Sequence, residues 1–169
     1  MNPALAAWNS AENQLALETM LACCGAKRWA AEMVAARPIA RTNELSRVAD
    51  LVWSTMRESD WLEAFACHPR IGERKETRAT GQSAAWSKQE QSKTNTASEN
   101  VLAQLAAGNR QYEDRFGFTY IVCATGKSAD EMLAILTRRL GSVRDAELRE
   151  AAEQQRQIMQ IRLRKWLME

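Results

Sequence analysis

The chain has 169 residues, with 23 Lys+Arg against 21 Asp+Glu, one histidine and a net charge of +2. That length suits one domain with a real core, and 46% apolar with 26% charged residues is an ordinary globular balance. Only 7 Gly and 3 Pro are present, which excludes a collagen or a disordered linker; no apolar run nears the ~20 residues of a membrane span, and so small a net charge argues against a dedicated nucleic-acid binder.

The opening residues lack a basic segment followed by an apolar one, so no secretory leader is expected, and the C-terminal residues carry no peroxisomal or lipidation address. Abundant alanine favours helix throughout. Asn9-Ser10 predicts the cap of a helix carrying Leu15, Leu17 and Met20 and closing at Gly25. A second helix is expected over 27–37, stopped by Pro38. Thr42 or Asn43 caps a third, in which Leu45, Val48, Ala49, Val52 and Met56 lie on one helical face. Asp60 with Glu63 resembles a capping box for a short helix over 61–67, which must end near His68 because Pro69 follows.

No clean period runs from 70 to 83, where Arg70, Arg74, Lys75 and Arg78 crowd with Gly72 and Gly81; a long ordered loop is expected. Ser87-Lys88-Gln89-Glu90 reads as a capping box that opens a helix. A further helix carries Val101, Leu102, Leu105, Tyr112 and Phe116 and ends at Gly117. The stretch 118–124 has strand composition, but a lone strand has no partner, so it is either a buried extended segment or not a strand at all. Ser128 with Glu131 forms another capping box, for a helix that stops at Gly141, and a closing helix spans roughly 144–167. The fold class expected is all-α: a single-domain helical bundle over 1–169 with one long ordered loop and one extended segment.

Four cysteines, at 23, 24, 67 and 123, form no C-x-x-C pair, and with one histidine no metal site is expected. Reduced, buried thiols in a cytoplasmic protein fit this usage. His68 is the only side chain that ordinarily titrates near neutral pH. It precedes a proline and a basic loop. That loop, over 70–78, is either a solvated face or a collar for a small anion. Glu90 is either a capping residue or a carboxylate facing a pocket. Arg138 and Arg139 suit a helix C-terminus, and one of them could hold a carboxylate in a fork.

Taken in order, His68-Pro69-Arg70-Ile71-Gly72, Ser87-x-x-Glu90-Gln91, Asn109-x-x-Tyr112-x-x-x-Phe116-Gly117-Phe118 and Ile121-Val122-x-x-x-Gly126 resemble the OHCU decarboxylases. Those enzymes convert 2-oxo-4-hydroxy-4-carboxy-5-ureidoimidazoline (OHCU) to (S)-allantoin in urate catabolism. The likeness covers nearly the whole chain, and it implies an all-α homodimer that uses no cofactor and takes a small anionic heterocycle. It implies catalytic roles for His68 and Glu90. It implies substrate contacts by Pro69, Ser87, Phe118, Tyr120, Ile121, Val122 and Arg139, and burial of the substrate against Trp86 is expected beside them. One departure stands out: Trp86 occupies a position where many members carry glutamate. A different reading makes the chain a non-catalytic helical module that docks a partner through the basic 70–78 loop.

Overall fold

The computed structural model describes residues 2–72 and 81–169. These residues form nine α-helices and one 3-10 turn, with no β-strand among them. The helices are α1 (Pro3–Ser10), α2 (Asn13–Cys23), α3 (Lys27–Ala35), α4 (Thr42–Ser54), α5 (Glu58–Ala66), α6 (Gly81–Glu90), α7 (Glu99–Phe116), α8 (Ala129–Arg139) and α9 (Arg144–Trp166), with the 3-10 turn at Ser92–Thr96. The all-α expectation holds. Most of the 70–83 loop, with Arg74, Lys75 and Arg78, lies outside the described residues.

The chain divides into two compact units, Met1–Ala64 with Arg156–Glu169, and Phe65–Gln155. In the first, Asn2 caps α1 by accepting from the Leu5 N–H, with Pro3 just inside the helix. Asn9-Ser10 therefore does not cap the helix that follows, because an additional helix precedes it. Ser10 instead closes α1, its hydroxyl returning to the Ala6 and Ala7 carbonyls, while Asn9 pairs with both peptide groups of Ile39. The α2 helix starts at Asn13 without a side-chain cap and buries Ala16, Met20 and Cys23, leaving Leu15 exposed. Trp29, Met33, Leu45 and Ala49 fill the core, and the Trp29 indole donates to the Ala49 carbonyl at 3.1 Å. In α4 the buried face is Leu45, Ala49 and Trp53, with Val48 and Val52 half-buried at its flank.

The second unit is organised around α7. Ser98 caps its start, and Gly117 ends it in the left-handed conformation at φ +81°, which a residue with a Cβ adopts only under strain. Gly108 lies against Leu136 of α8 so closely that an added Cβ would sit 2.6 Å from the leucine side chain. Ser128 and Glu131 form the expected capping box at the start of α8. The non-helical stretch 118–124 is the segment whose composition suggested a strand. It is buried at Phe118, Tyr120, Ile121, Val122, Cys123 and Ala124, and it pairs with no strand among the described residues.

Ser87-x-x-Glu90 does not open a helix. It forms the last turn of α6, whose first residue is Gly81. The same three-residue spacing that lets Glu90 cap Ser87 at a helix start also places the two side chains on one helical face. Here that second consequence prevails.

Candidate active site

Pro69 stops α5, and the chain turns at 67–72 to present the only imidazole. The second unit holds this turn through five partners, Phe65, Gln91, Asn109, Glu113 and Gln155. The His68 N–H donates to the Phe65 carbonyl at 3.1 Å. His68 Nε2 lies 2.7 Å from Gln155 Oε1 on α9. Arg70 forks onto both oxygens of Glu113, at 2.6 and 2.7 Å, so this member of the basic loop is committed to an ion pair. The Ile71 carbonyl accepts from Asn109 Nδ2 at 2.9 Å. Finally, the Gly72 N–H donates to Gln91 Oε1 at 3.1 Å. Gln91 directly follows Glu90, so this bond ties the histidine turn to the end of α6.

The α6 helix buries Ser83, Trp86, Ser87 and Glu90. These positions fall at i, i+3, i+4 and i+7, one helical stripe. A stripe facing a core ordinarily carries Leu, Ile or Val; this one carries two hydroxyls, a carboxylate and an indole. Burying polar groups costs free energy unless partners are supplied, and such exceptions concentrate where chemistry is done.

Helices α8 and α9, with Lys127 just ahead of α8, hold the 118–124 segment at residues 121 and 123. Arg139 Nη1 donates to the Ile121 carbonyl at 2.5 Å, Gln154 Oε1 accepts from the Cys123 N–H at 2.8 Å, and Lys127 donates to the Cys123 carbonyl at 2.7 Å. Among the described residues these bonds hold 121 and 123 and leave the peptide groups of Val122 unused. Tyr120 is pinned through its hydroxyl to the Met132 carbonyl at 3.0 Å, and the Phe118 ring packs 5.5 Å from Phe65, just ahead of the histidine turn.

Arg139 has an internal task. It is wholly buried, with Nε on Glu147 at 2.6 Å, Nη1 on the Ile121 carbonyl and Nη2 reaching the Tyr112 hydroxyl at 3.3 Å. Its guanidinium also lies 5.0 Å from the Tyr120 ring centre. Burial by itself lowers the arginine pKa, but the Glu147 hydrogen bond and the nearby tyrosines outweigh it and hold the group above its ordinary value. Burial likewise pushes the Tyr112 and Tyr120 hydroxyls up, with Arg139 pulling the other way. Both tyrosines stay neutral donors. Arg139, expected as a substrate contact, is instead engaged by Glu147, the Tyr112 hydroxyl and the Ile121 carbonyl.

Gln154 and Gln155 were missed. They sit on a helix that reads as ordinary closing helix, and only three-dimensional packing delivers them to residues 123 and 68. Among the described residues no group of three or more His, Cys, Asp or Glu side chains could hold a metal.

A profile of the OHCU decarboxylase family matches residues 9–164. The chain belongs to the OHCU decarboxylase family. It is 34% identical over 144 residues to the uric acid degradation bifunctional protein TTL of Arabidopsis thaliana, a match covering 85% of this chain and 44% of that one. It is 27% identical over 134 residues to the OHCU decarboxylase of Amia calva, covering 79% of this chain and 77% of its relative. A crystal structure described as an OHCU decarboxylase in the presence of (S)-allantoin superposes with a TM-score of 0.77 at 31% identity, covering 94% of this chain and all of that one. The chain thus spans less than half of the Arabidopsis protein but the full length of the superposed decarboxylase.

Proposed function

We propose that the chain is a cofactor-independent carboxy-lyase that converts OHCU to (S)-allantoin in urate breakdown, with 1–169 acting as one domain. The observation that carries this reading is the pairing of a buried polar stripe, Ser83-Trp86-Ser87-Glu90, with the chain's only imidazole, through the Gly72–Gln91 bond. Membership of the decarboxylase family supplies the substrate.

The substrate explains why its own atoms suffice as an electron sink. The carboxylate sits on a carbon beside a C=N bond, so the electron pair freed by loss of CO₂ flows into the imine, whose nitrogen takes up a proton from water. The product of that step is an enol with one hydroxyl proton to lose and one ring carbon to be protonated. His68 takes the hydroxyl proton. Glu90, directly or through water, delivers a proton to one face of the neighbouring carbon, giving a single hand of allantoin. Positioned acid–base groups contribute roughly 10²–10⁴-fold each.

Binding falls to Pro69, Trp86, Ser87 and the 118–122 segment. Phe118, Tyr120 and Ile121 shape the segment, and the unused peptide groups of Val122 meet the polar edge of the ring. Arg139 acts through the Ile121 carbonyl, setting the position of this backbone. Too tight a grip on the carboxylate would only stabilise the ground state, so an arginine spent on the scaffold costs the reaction little.

A homodimer in the cytoplasm completes the reading. The family resemblance supports the dimer, and four cysteines outside any disulfide suit a reducing compartment. Among the described residues no helix is long and apolar enough to cross a membrane. Light scattering on the purified chain tests the dimer.

The decisive experiment supplies fresh OHCU, generated from urate, and follows rate and optical rotation against an enzyme-free control. The expected result is faster conversion and one enantiomer of allantoin; no acceleration, or a racemic product, would overturn the function. His68→Asn should retain the fold and lower turnover at least ~10²-fold. Glu90→Gln should slow the reaction or racemise its product, and an unchanged rate and handedness would leave Glu90 with a structural role alone.

A further inference from the structure

Gln155 is fully buried on α9, with Oε1 2.7 Å from His68 Nε2, while its own Nε2 finds no hydrogen-bond partner among the described residues. A glutamine so placed is a poor choice for stability. Its amide N–H₂ is shut away from water without compensation, and an aliphatic side chain of similar volume would avoid that cost. What glutamine adds is the carbonyl oxygen on the imidazole.

We infer that Gln155 is a positioning residue that fixes the tautomer of His68, holding the proton on Nε2 so that Nδ1 is the atom that exchanges protons with substrate. The inference rests on the proposed decarboxylase reading and deepens it. A carbonyl oxygen only accepts, so the ring nitrogen facing it must carry hydrogen. This holds for the neutral ring, where Nε2–H leaves the lone pair on Nδ1, and for the imidazolium, where both nitrogens carry protons. The ring therefore cycles between its two charge states with the Gln155 bond intact. The substrate hydroxyl proton arrives at Nδ1 and leaves from Nδ1, and Nε2 keeps its own proton throughout. A histidine held in the wrong tautomer is a poor base even when correctly placed; in the serine-protease triad the loss reaches about 10⁴-fold in turnover.

Adjacent geometry gives the helix a double task. Gln154 holds the Cys123 N–H at 2.8 Å while Gln155 holds the imidazole, so one turn of α9 registers the base against the 118–124 segment. A rigid helix carrying both anchors is the kind of support that keeps a base aligned with its substrate.

His68 is the only histidine, so its ring can be followed without assignment. The test is long-range ¹H–¹⁵N NMR on the full chain labelled with ¹⁵N-histidine, alongside steady-state kinetics with OHCU. The wild-type neutral ring should be the Nε2–H tautomer. Gln155→Leu, checked for an unchanged helical signal and melting profile, should give mixed tautomers and a kcat lowered roughly 10-fold or more, with KM altered less than about 2-fold. Gln155→Glu keeps an acceptor in place and should restore the single tautomer, with the ring titrating at higher pH than in the wild type because a carboxylate now faces it. A dominant Nδ1–H tautomer in the wild type would overturn the inference, as would a Gln155→Leu protein with unchanged ring signals and turnover. Should the wild type fail to process OHCU while Gln155→Leu still scrambles the tautomer, the decarboxylase reading falls and the hold of Gln155 on His68 stands.

Discussion

Replacing Arg139 with methionine separates an internal role from direct contact with substrate. Arg139 and Glu147 each expose about 1% of their side chains, and the Tyr112 hydroxyl shares the same carboxylate. Removing the guanidinium leaves Glu147 charged and buried with a single neutral donor. Breaking a buried pair in this way costs about 3–5 kcal/mol, a large share of the ~5–15 kcal/mol that holds a typical domain together. For a chain of this size that corresponds to a fall in Tm of roughly 6–20 °C. Adding Glu147→Gln to Arg139→Met removes the stranded charge and keeps an acceptor for Tyr112, so the double variant should recover at least ~2 kcal/mol over the single one. Circular dichroism melts and urea titrations of the three proteins provide the measurement. If Arg139→Met melts within about 3 °C of the wild type, or if the double variant is no more stable than the single one, the buried cluster does not organise the 118–124 segment. A direct grip on substrate predicts the reverse pattern: unchanged melting and a raised KM.

Gly117→Ala should cost about 1–2 kcal/mol in urea titrations, because the left-handed backbone alone resists the methyl group where nothing else lies within 4 Å; Gly117→Asn should cost less. The peptide N–H and hydroxyl of Ser128 hold the Glu131 carboxyl below its ordinary range, so the box stabilises α8 fully above the unfolded-state value of 4.5 and less as pH falls through the lowered folded value. Ser128→Ala should therefore lower Tm near neutral pH, with the gap from wild type narrowing on acidification; a gap that widens would refute the assignment. Ser87→Ala should raise the KM for OHCU while leaving Tm within roughly 4 °C of wild type, on the order of 1 kcal/mol for a chain of this length. A large loss of stability with unaltered kinetics would make the α6 stripe a structural feature only.

Much of this architecture is legible in the sequence, because helix boundaries here are written in local chemistry. Gly117, Ser128 with Glu131, and Pro69 each act within one turn, and their signals survive into the fold. The failures share a cause as well. Asn9-Ser10 and Ser87-x-x-Glu90 have the composition of caps, yet the preceding Asn2-Pro3 start and the earlier origin of α6 at Gly81 place both pairs at helix C-termini. A spacing rule fixes which side chains are neighbours and leaves open whether they begin or finish a helix. His68 and Glu90 were visible as residue types in a recognisable order. Gln154 and Gln155 were not, since a polar pair on a long amphipathic helix looks like its solvated face until the partner segment is known.

The 118–124 stretch shows why a strand-like composition can be right about burial and wrong about pairing. An apolar segment without a neighbouring strand must still satisfy its peptide groups when removed from water. Here side chains do that work: Arg139 takes the Ile121 carbonyl, Gln154 the Cys123 N–H and Lys127 the Cys123 carbonyl. A sheet partner would have consumed the peptide groups on both sides of the segment. Side chains from α8, α9 and Lys127 supply donors and acceptors at chosen points, and among the described residues they leave the groups of Val122 unspent. An arginine drawn inward to serve a carbonyl is thereby spent on positioning backbone, which is the part the proposed recognition of a heterocycle edge gives it.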